Sequence, residues 1–562
     1  MKHLKAINLA DFYKTGHYRQ YAPGTQYVYS NWTCRSDKWA STLPDFDHKV
    51  VFFGLQAVCK YLLNDLWKET FFDKPLEEVL KEYKHRMDSS LGPNAVTLDH
   101  ITQLHTLGYL PVSIRALPEG SRVNIRVPLF TIVNTLPEFY WITNYLETQI
   151  SAELWQIITN ATIAYEYRRL IDKYAEKTGG SKEFVEWQGH DFSMRGMGSC
   201  HDAAKSGAAH LLSFHGTDTI PAIDFVEAYY GSVVAGSVPA TEHSVMCMGG
   251  QEDEIETFSR LINETYPSGI VSIVSDTWDF WQVITEFTKK LKSDILKRDG
   301  KVVFRPDSGD PVDIICGTAQ IKDLSSCSSL EDAAAEMGED IEDVVRNETP
   351  HGEAGSLEDY GYFKFDNKVY QVTVEFDWNR YDKQYYYIDG TRIGKPVEVN
   401  FTPEQKGAVE CLWDEFGGTL TSKGYKTLDS HVGLIYGDSI TLERASQILE
   451  RLEAKGFSSD NIVFGIGSYT YQFVTRDTFG QAIKATWGNV NGVATPLSKK
   501  PKTDNGVKNS ATGLLRVFKR GNDFVLEDNQ YTPIGGELRI VYQDGKFTNE
   551  EDFATIRERL LG

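Results

Sequence analysis

The chain has little of what marks a membrane, secreted or metal-holding protein. Its most apolar stretch, 129–150, is broken by Asn134, Glu138, Asn144 and Glu147, so no run is long enough to cross a bilayer. The opening Met1-Lys2-His3-Leu4-Lys5 has no apolar core behind it and soon meets Asp11 and Lys14, which is not a signal-peptide pattern. Seven cysteines (34, 59, 200, 247, 316, 327 and 411) are scattered, odd in number and without a Cys-x-x-Cys pair. Free thiols in a reducing, cytoplasmic setting are the expectation. No His-Glu-x-x-His or Cys/His cluster points to zinc. A Walker A loop, a dinucleotide fingerprint and the apolar-apolar-Asp-Asp-Thr-Gly ribose-phosphate loop are all missing. Positive charge is scarce: 58 Lys+Arg against 79 Asp+Glu leave −21 at pH 7. That balance argues against nonspecific nucleic-acid binding but not against a local basic pocket.

What is present is ordinary globular composition, 41% hydrophobic and 24% charged. The 562 residues amount to three or four domain equivalents at about 150 residues each, enough to bury a core without staples. In the first 150 residues, 47–63 predicts a strongly apolar helix and 76–87 a charged surface helix. Residues 109–134 alternate as strands between Pro118, Gly120 and Pro128, and 154–178 predicts a long helix ended by Gly179-Gly180.

A rhythm then begins. Apolar runs at 209–214, 231–237, 269–274, 302–304, 432–436 and 461–464 each end in polar or glycine residues and hand over to a helical pattern. Near-continuous apolar strands alternating with helices imply a buried parallel sheet. The polar residues after the strands (218, 243, 276, 307, 438 and 467) fall 25, 33, 31, 131 and 29 positions apart. A βα repeat takes roughly 30 residues, and βα barrels carry their chemistry at the C-terminal ends of the strands. The long gap holds an insertion near 317–421. Its acidic part, 331–348, predicts a solvated helix or a linker. Its later part predicts hairpins at 368–377, 384–388 with Asp389-Gly390 as turn, and 396–401. It carries no catalytic constellation and is placed outside the barrel as a small β-rich subdomain. After Lys484 the chain is basic and loop-like, then closes with strands at 513–519, 523–526 and 537–542 and a helix at 551–561.

Several segments have chemical potential, each with a plainer alternative. Gly465-Ile466-Gly467-Ser468 and Gly437-Asp438 follow strands, where glycine admits backbone N–H groups to an anion or merely makes a tight turn. His243, beside Glu242, suits acid–base work or phosphoryl acceptance, or a structural role. Asp218 is a helix cap or a buried acceptor for an N–H donor at the barrel mouth. In Arg305-Pro306-Asp307 the arginine supplies a planar donor fork; Asp307 can accept sugar hydroxyls or hold Mg²⁺ through water. Phe192, three residues before Arg195, suits stacking on a flat ring or belongs to the core. Asp276 and Asp279 share a helix face or cap a first turn.

Taken in order, these segments resemble the nicotinamide phosphoribosyltransferases, within the type II phosphoribosyltransferase family. The resemblance runs from Asp11-Phe12-Tyr13-Lys14 through 190–196, 214–218, 239–244, 274–276, 305–309, 422–426, 437–438 and 464–465 to 475–477 and Lys484. It covers nearly everything outside the insertion. It implies an irregular βα barrel (154–484), an α+β domain from the two ends (1–153 with 485–562) and the inserted acidic, β-rich subdomain (317–421). The implied reaction makes nicotinamide mononucleotide and pyrophosphate from nicotinamide and 5-phosphoribosyl-1-pyrophosphate with Mg²⁺, in NAD salvage. The family pattern puts Phe192 on one face of the pyridine and Tyr13 of a second subunit of a homodimer on the other. Asp218 accepts from the carboxamide NH₂ and Arg305 stands on the carboxamide side. Asp307, Gly437 and Asp438 hold the ribose, Gly467 and Ser468 the 5-phosphate, and Asp279 the hydroxyls or the metal. Arg35, Arg195, Arg476 and Lys484 balance the phosphate and pyrophosphate charge. His243 matches a histidine phosphorylated by ATP, with Glu242 orienting it. Departures are Phe12 for a small polar residue, Ser468 for glycine, Ala482 for serine, and the insertion. A nicotinate phosphoribosyltransferase shares the barrel plan, but an ionised Asp218 repels a carboxylate. A catalytically dead binding protein is opposed by the presence of His243, Asp218, Arg305 and Asp307.

Overall fold

The computed structural model describes residues 4–347, 355–366, 368–380, 386–437, 440–498 and 511–562. The two ends of the chain build one antiparallel sheet of seven strands. Its order is Val493–Pro496, Gln481–Val490, Thr25–Cys34, Pro128–Asn134, Val112–Ala116, Arg539–Gln543 and Lys546–Phe547. The interior strand Thr25–Cys34 carries the buried Val28, Tyr29 and Trp32, and the Trp32 ring stacks on Phe130 of the central strand at 5.7 Å.

The second sheet is parallel, in the order Gly216–Thr217, Gly189–Asp191, Val463–Ile466, Val432–Tyr436, Val302–Arg305 and Val271–Val274. Its two edges are both met by the segment 236–241. The Thr217 N–H donates to Gly236 O at 3.0 Å on one edge, and the Ser272 N–H donates to Pro239 O at 2.9 Å on the other. The sheet therefore closes into a ring. The helix Glu147–Thr178 is buried along most of its length and packs on barrel helices and on the antiparallel sheet, so one apolar core is shared by both. It starts seven residues before the start read from the sequence and ends where the glycines predict, with Gly179 at φ +74°.

Four sequence expectations change. The run 231–237 forms no strand and meets the sheet through the bridge of Gly236 to Gly216. The supposed apolar helix 47–63 opens as the strand Lys49–Val51, paired with Arg122–Asn124, and turns helical only at Leu55. Gly54, at φ +103°, makes the break, and a Cβ there would strike Ile157. The run 209–214 is not a strand. It finishes the helix Cys200–His210, started by the Ser199 cap, and the strand that follows is Gly216–Thr217. Asp389-Gly390 is not a turn; it lies inside the strand Tyr386–Ile393, beside a register shift opposite Asp377 and Trp378.

The insertion has its own small core. The acidic helix Leu330–Asn347 lays Ala333, Ala334, Ile341 and Val345 on Phe363, Val372, Val374 and Phe376 of the strands Gly355–Phe365 and Lys368–Arg380. Its acids face outward, so it is a packed helix. Thr318 N–H donates to Glu404 O and Ala319 N–H to Gln405 O, which brings the two ends of the excursion together. The helix Ala408–Phe416 contributes Ala408, Val409, Cys411 and Leu412 to the main core. All seven cysteines are free thiols. Among the described residues no helix is long and apolar enough to cross a membrane.

Candidate active site

The C-terminal ends of the parallel strands bring together Phe192, Asp218, Arg305 and Asp307. Phe192 follows the strand Gly189–Asp191, and its N–H donates to Ile466 O at 3.0 Å. The Phe192 ring lies 4.6 Å from that of His190. Asp218 follows Gly216–Thr217 and does not cap the next helix by its side chain. His190 Nε2 stands 2.9 Å from Asp218 Oδ1, and the Ser237 hydroxyl donates to the same oxygen. Burial raises the Asp218 carboxyl, but these two bonds and the charges of His190 and Arg305 outweigh it and hold it below its ordinary value. Arg305 ends the strand Val302–Arg305; its Nη2 donates to Thr241 O at 2.6 Å, while its buried Nε has no partner.

Phe192, Asp218 and Arg305 line a cavity of about 510 Å³ that continues through the barrel past Val303 and Leu434 to Trp187 and Lys301 at the opposite strand ends. A flat, drug-sized molecule fits such a volume.

Asp307 receives structure from two sides. Its N–H donates to Asp276 Oδ2 at 2.8 Å, an oxygen that also accepts from Ser308 Oγ at 2.6 Å. Gly437 packs against it, since a Cβ there would lie 2.0 Å from Asp307 Oδ1. Asp438, read from the sequence as the next ribose contact, lies outside the described residues. His243 opens the helix His243–Gly249, with Nε2 at 3.7 Å from Asp307 Oδ2 and Nδ1 at 3.4 Å from Thr277 Oγ1. Glu242 accepts from Ser244, while the His243 ring faces Thr277 and Asp307. Asp279 is a helix cap: its Oδ1 accepts from Trp281 and Gln282 N–H at 3.0 and 3.1 Å, leaving Oδ2 for another partner. Gly467 precedes the short helix Ser468–Tyr471. The Ser468 side chain rests on Gly196, where a Cβ would come within 1.9 Å of Ser468 Oγ. The turn carrying the exposed Arg195 is thereby seated on the predicted phosphate loop.

A second group forms at the antiparallel sheet. Glu147 pairs with the buried Lys14 and, at 3.1 Å, with Lys484. Arg35 Nε donates to Gly480 O at 2.8 Å, and burial together with the Arg476 charge lowers its basicity. Tyr13 stands exposed beside Lys14, its hydroxyl raised by partial burial, Glu147 and Asp11 against the opposing pull of Arg476. Thus Tyr13, Arg35, Arg476 and Lys484 gather around Glu147. His190 and Thr241 fall inside the segments 190–196 and 239–244 without a role of their own there, and Ser237 and Glu147 belong to no motif; folding puts all four beside the expected residues.

Residues 187–336 and 377–546 match the family model of the nicotinate phosphoribosyltransferase (NAPRTase) family, and residues 6–114 match the nicotinamide phosphoribosyltransferase N-terminal domain. The nicotinamide phosphoribosyltransferase of Acinetobacter baylyi is 51% identical over 99% of this chain and 97% of that protein. The chain belongs to the nicotinamide phosphoribosyltransferase family. A member from Mycoplasma pneumoniae is 31% identical over 89% of this chain and 93% of its own. Among solved structures, nicotinate-nucleotide pyrophosphorylase from Pyrococcus furiosus aligns with 99% of this chain and 94% of that one, at 13% identity and a TM-score of 0.49.

Proposed function

We propose that the chain transfers the 5-phosphoribosyl group of 5-phosphoribosyl-1-pyrophosphate to nicotinamide, giving nicotinamide mononucleotide and pyrophosphate in NAD salvage. The observation that carries this reading is the pairing of Phe192 with an Asp218 carboxylate at the mouth of the barrel cavity. Both protein donors to Asp218 fall on Oδ1, so Oδ2 keeps no partner among the described residues. A pyridine ring stacks on Phe192, and its carboxamide NH₂ donates to Asp218 Oδ2. Arg305 stands across the mouth with an unpartnered Nε on the carboxamide side.

The pyridine nitrogen supplies the electron pair for the new bond to the anomeric carbon. Pyrophosphate leaves with the pair of the bond that breaks, and no proton need move. The protein holds the two reactants in line and surrounds the departing charge with fixed donors. In this reading Asp307 and Asp438 face the ribose, Gly437 gives Asp307 its place, and Gly467, Ser468 and Arg195 meet the 5-phosphate. Mg²⁺ supplies charge neutralisation on the pyrophosphate when bound. Among the described residues no three His, Cys, Asp or Glu side chains gather to cage an ion. That suits a Mg²⁺ held mostly by substrate oxygens and water, with Asp307 or Oδ2 of Asp279 adding a carboxylate.

Two further parts of the reading rest on placement. The Tyr13, Arg35, Arg476 and Lys484 group is assigned to the mouth of a second copy, making a homodimer with shared sites. His243 is assigned as the acceptor of a phosphoryl group from ATP, its ring half-exposed and oriented by Asp307. The experiment for base recognition is Asp218→Asn. The preference for nicotinamide over nicotinate should fall about tenfold or more, because the variant no longer sets a negative charge against the carboxylate. An unchanged ratio would remove Asp218 from base selection.

A further inference from the structure

His190 has no part in the reaction as described above, yet it is the best-placed neighbour of the residue that selects the base. It belongs to the strand Gly189–Asp191, is 8% exposed, and has Gly216 of the adjacent strand packed against its ring, where a Cβ would sit 2.7 Å from Nδ1. A substituent at 216 would push the ring away, so the backbone fixes its direction. Nε2 is 2.9 Å from Asp218 Oδ1. An ionised carboxylate can only accept, so Nε2 carries the proton and donates it. The face of the same ring lies 4.6 Å from Phe192, tilted by 40°. One side chain therefore touches both the aromatic platform and the carboxylate assigned to the base.

The second donor to Asp218 comes from the opposite side. Ser237 lies in the segment that closes the barrel, and its hydroxyl also goes to Oδ1. Two donors on one oxygen remove the freedom of the carboxylate to rotate and direct Oδ2 to whatever occupies the mouth. They also favour the charged form, since both bonds are made to it.

We propose that His190 is a positioning residue for base selection: by donating from Nε2 to Asp218 Oδ1, with Ser237 as the supporting donor, it sets Asp218 as a fixed, charged acceptor that admits an amide and rejects a carboxylate. This rests on the base site assigned above. Losing the His190 donor frees the carboxylate to turn and makes its protonated form more accessible. A protonated Asp218 donates to a carboxylate instead of repelling it. The consequence falls on the choice between bases and on KM for nicotinamide, with a smaller effect on kcat, because His190 touches no reacting atom.

Two variants separate the donor from the ring. His190→Phe keeps a flat ring against Phe192 and removes the donor; His190→Gln keeps a donor and removes the ring. Steady-state kinetics with nicotinamide and with nicotinate, on folded protein checked by thermal unfolding, give the ratio of kcat/KM values. The expected result is a roughly ten- to hundredfold loss of nicotinamide preference in His190→Phe, carried mainly by KM, with His190→Gln much closer to wild type. Ser237→Ala, at an exposed position that folding does not depend on, should shift the ratio the same way by a smaller factor. A His190→Phe enzyme that keeps the full preference overturns the inference alone. So does a pattern in which Gln is the more damaging change, because the ring and not the donor would then matter. A wild-type enzyme with no preference for nicotinamide overturns the base-site reading and the inference together.

Discussion

Gly437 shows how closely single positions control the site. Its φ is not in the left-handed region, so alanine there costs the backbone little, yet its Cβ would sit 2.0 Å from Asp307 Oδ1. Gly437→Ala should leave the thermal midpoint nearly unchanged and cut kcat/KM for 5-phosphoribosyl-1-pyrophosphate by roughly a hundredfold, the scale of an ångström-level misplacement. A variant of full activity would show that Asp307 does not need its present position. Arg305 and Asp307 were legible in the sequence because they end the apolar run 302–304, where a barrel gathers its chemistry; Asp218 was legible although the run before it, 209–214, is not a strand. The link of His190 and Ser237 to Asp218 was not legible, although His190 lies in the segment 190–196. A histidine inside a strand and a serine in a loop gain meaning only when the strand order 216–217, 189–191 and the closing segment bring them to one carboxylate. Glu242 is suggested by its adjacency to His243 in sequence; in the fold its carboxylate accepts from Ser244.

At the scale of elements, a buried network locks the helices behind the mouth. Glu153, on Glu147–Thr178, accepts from Lys205 at 2.8 Å and His201 at 3.1 Å, both on Cys200–His210, and from Tyr61 at 2.7 Å. Lys205 is 1% exposed. Burial pushes the Glu153 carboxyl up, but these bonds prevail and hold it at about 2, below its ordinary 4.5. A depressed carboxyl contributes stability that is fully present above its unfolded value and is lost as pH falls through the folded one. Glu153→Gln should therefore cost about 1–2 kcal/mol near neutral pH, since Lys205 loses one carboxylate partner and keeps Asp202 at 3.1 Å. The gap to wild type should narrow as pH falls from about 4.5 towards 2, as read by denaturant unfolding. A gap independent of pH would mean that Glu153 is not the charged member of the network. Elements with a clear local signal, such as Val271–Val274 and Val432–Tyr436, appear where their apolar runs predict. The run 209–214 does not, because a capped, alanine-rich helix outcompetes a strand built on the same apolar residues.

At the scale of the whole molecule, the proposed reading assigns the site to two groups of residues, completed between two copies of the chain. The barrel mouth holds Phe192, Asp218, Arg305 and Asp307, while Tyr13, Arg35, Arg476 and Lys484 collect at the antiparallel sheet. Paired copies would complete each other. Asp218→Ala and Lys484→Ala enzymes should each be nearly inactive, and subunits mixed through unfolding and refolding should regain about a quarter of wild-type activity, since mixed dimers carry one intact site. No recovery would place the basic group in service of its own chain. Composition alone could not reveal this cluster, because a net charge of −21 hides a local excess of cations. The insertion has a separate core and adjoining ends.

The most direct test of the central claim is product formation from 5-phosphoribosyl-1-pyrophosphate and Mg²⁺, with nicotinamide and nicotinate in parallel and each with and without ATP. Nicotinamide mononucleotide and pyrophosphate should appear from nicotinamide, with little product from nicotinate, and ATP should raise the yield while phosphate appears on His243. Preferential turnover of nicotinate, or no product from either base, would contradict the account of the barrel mouth.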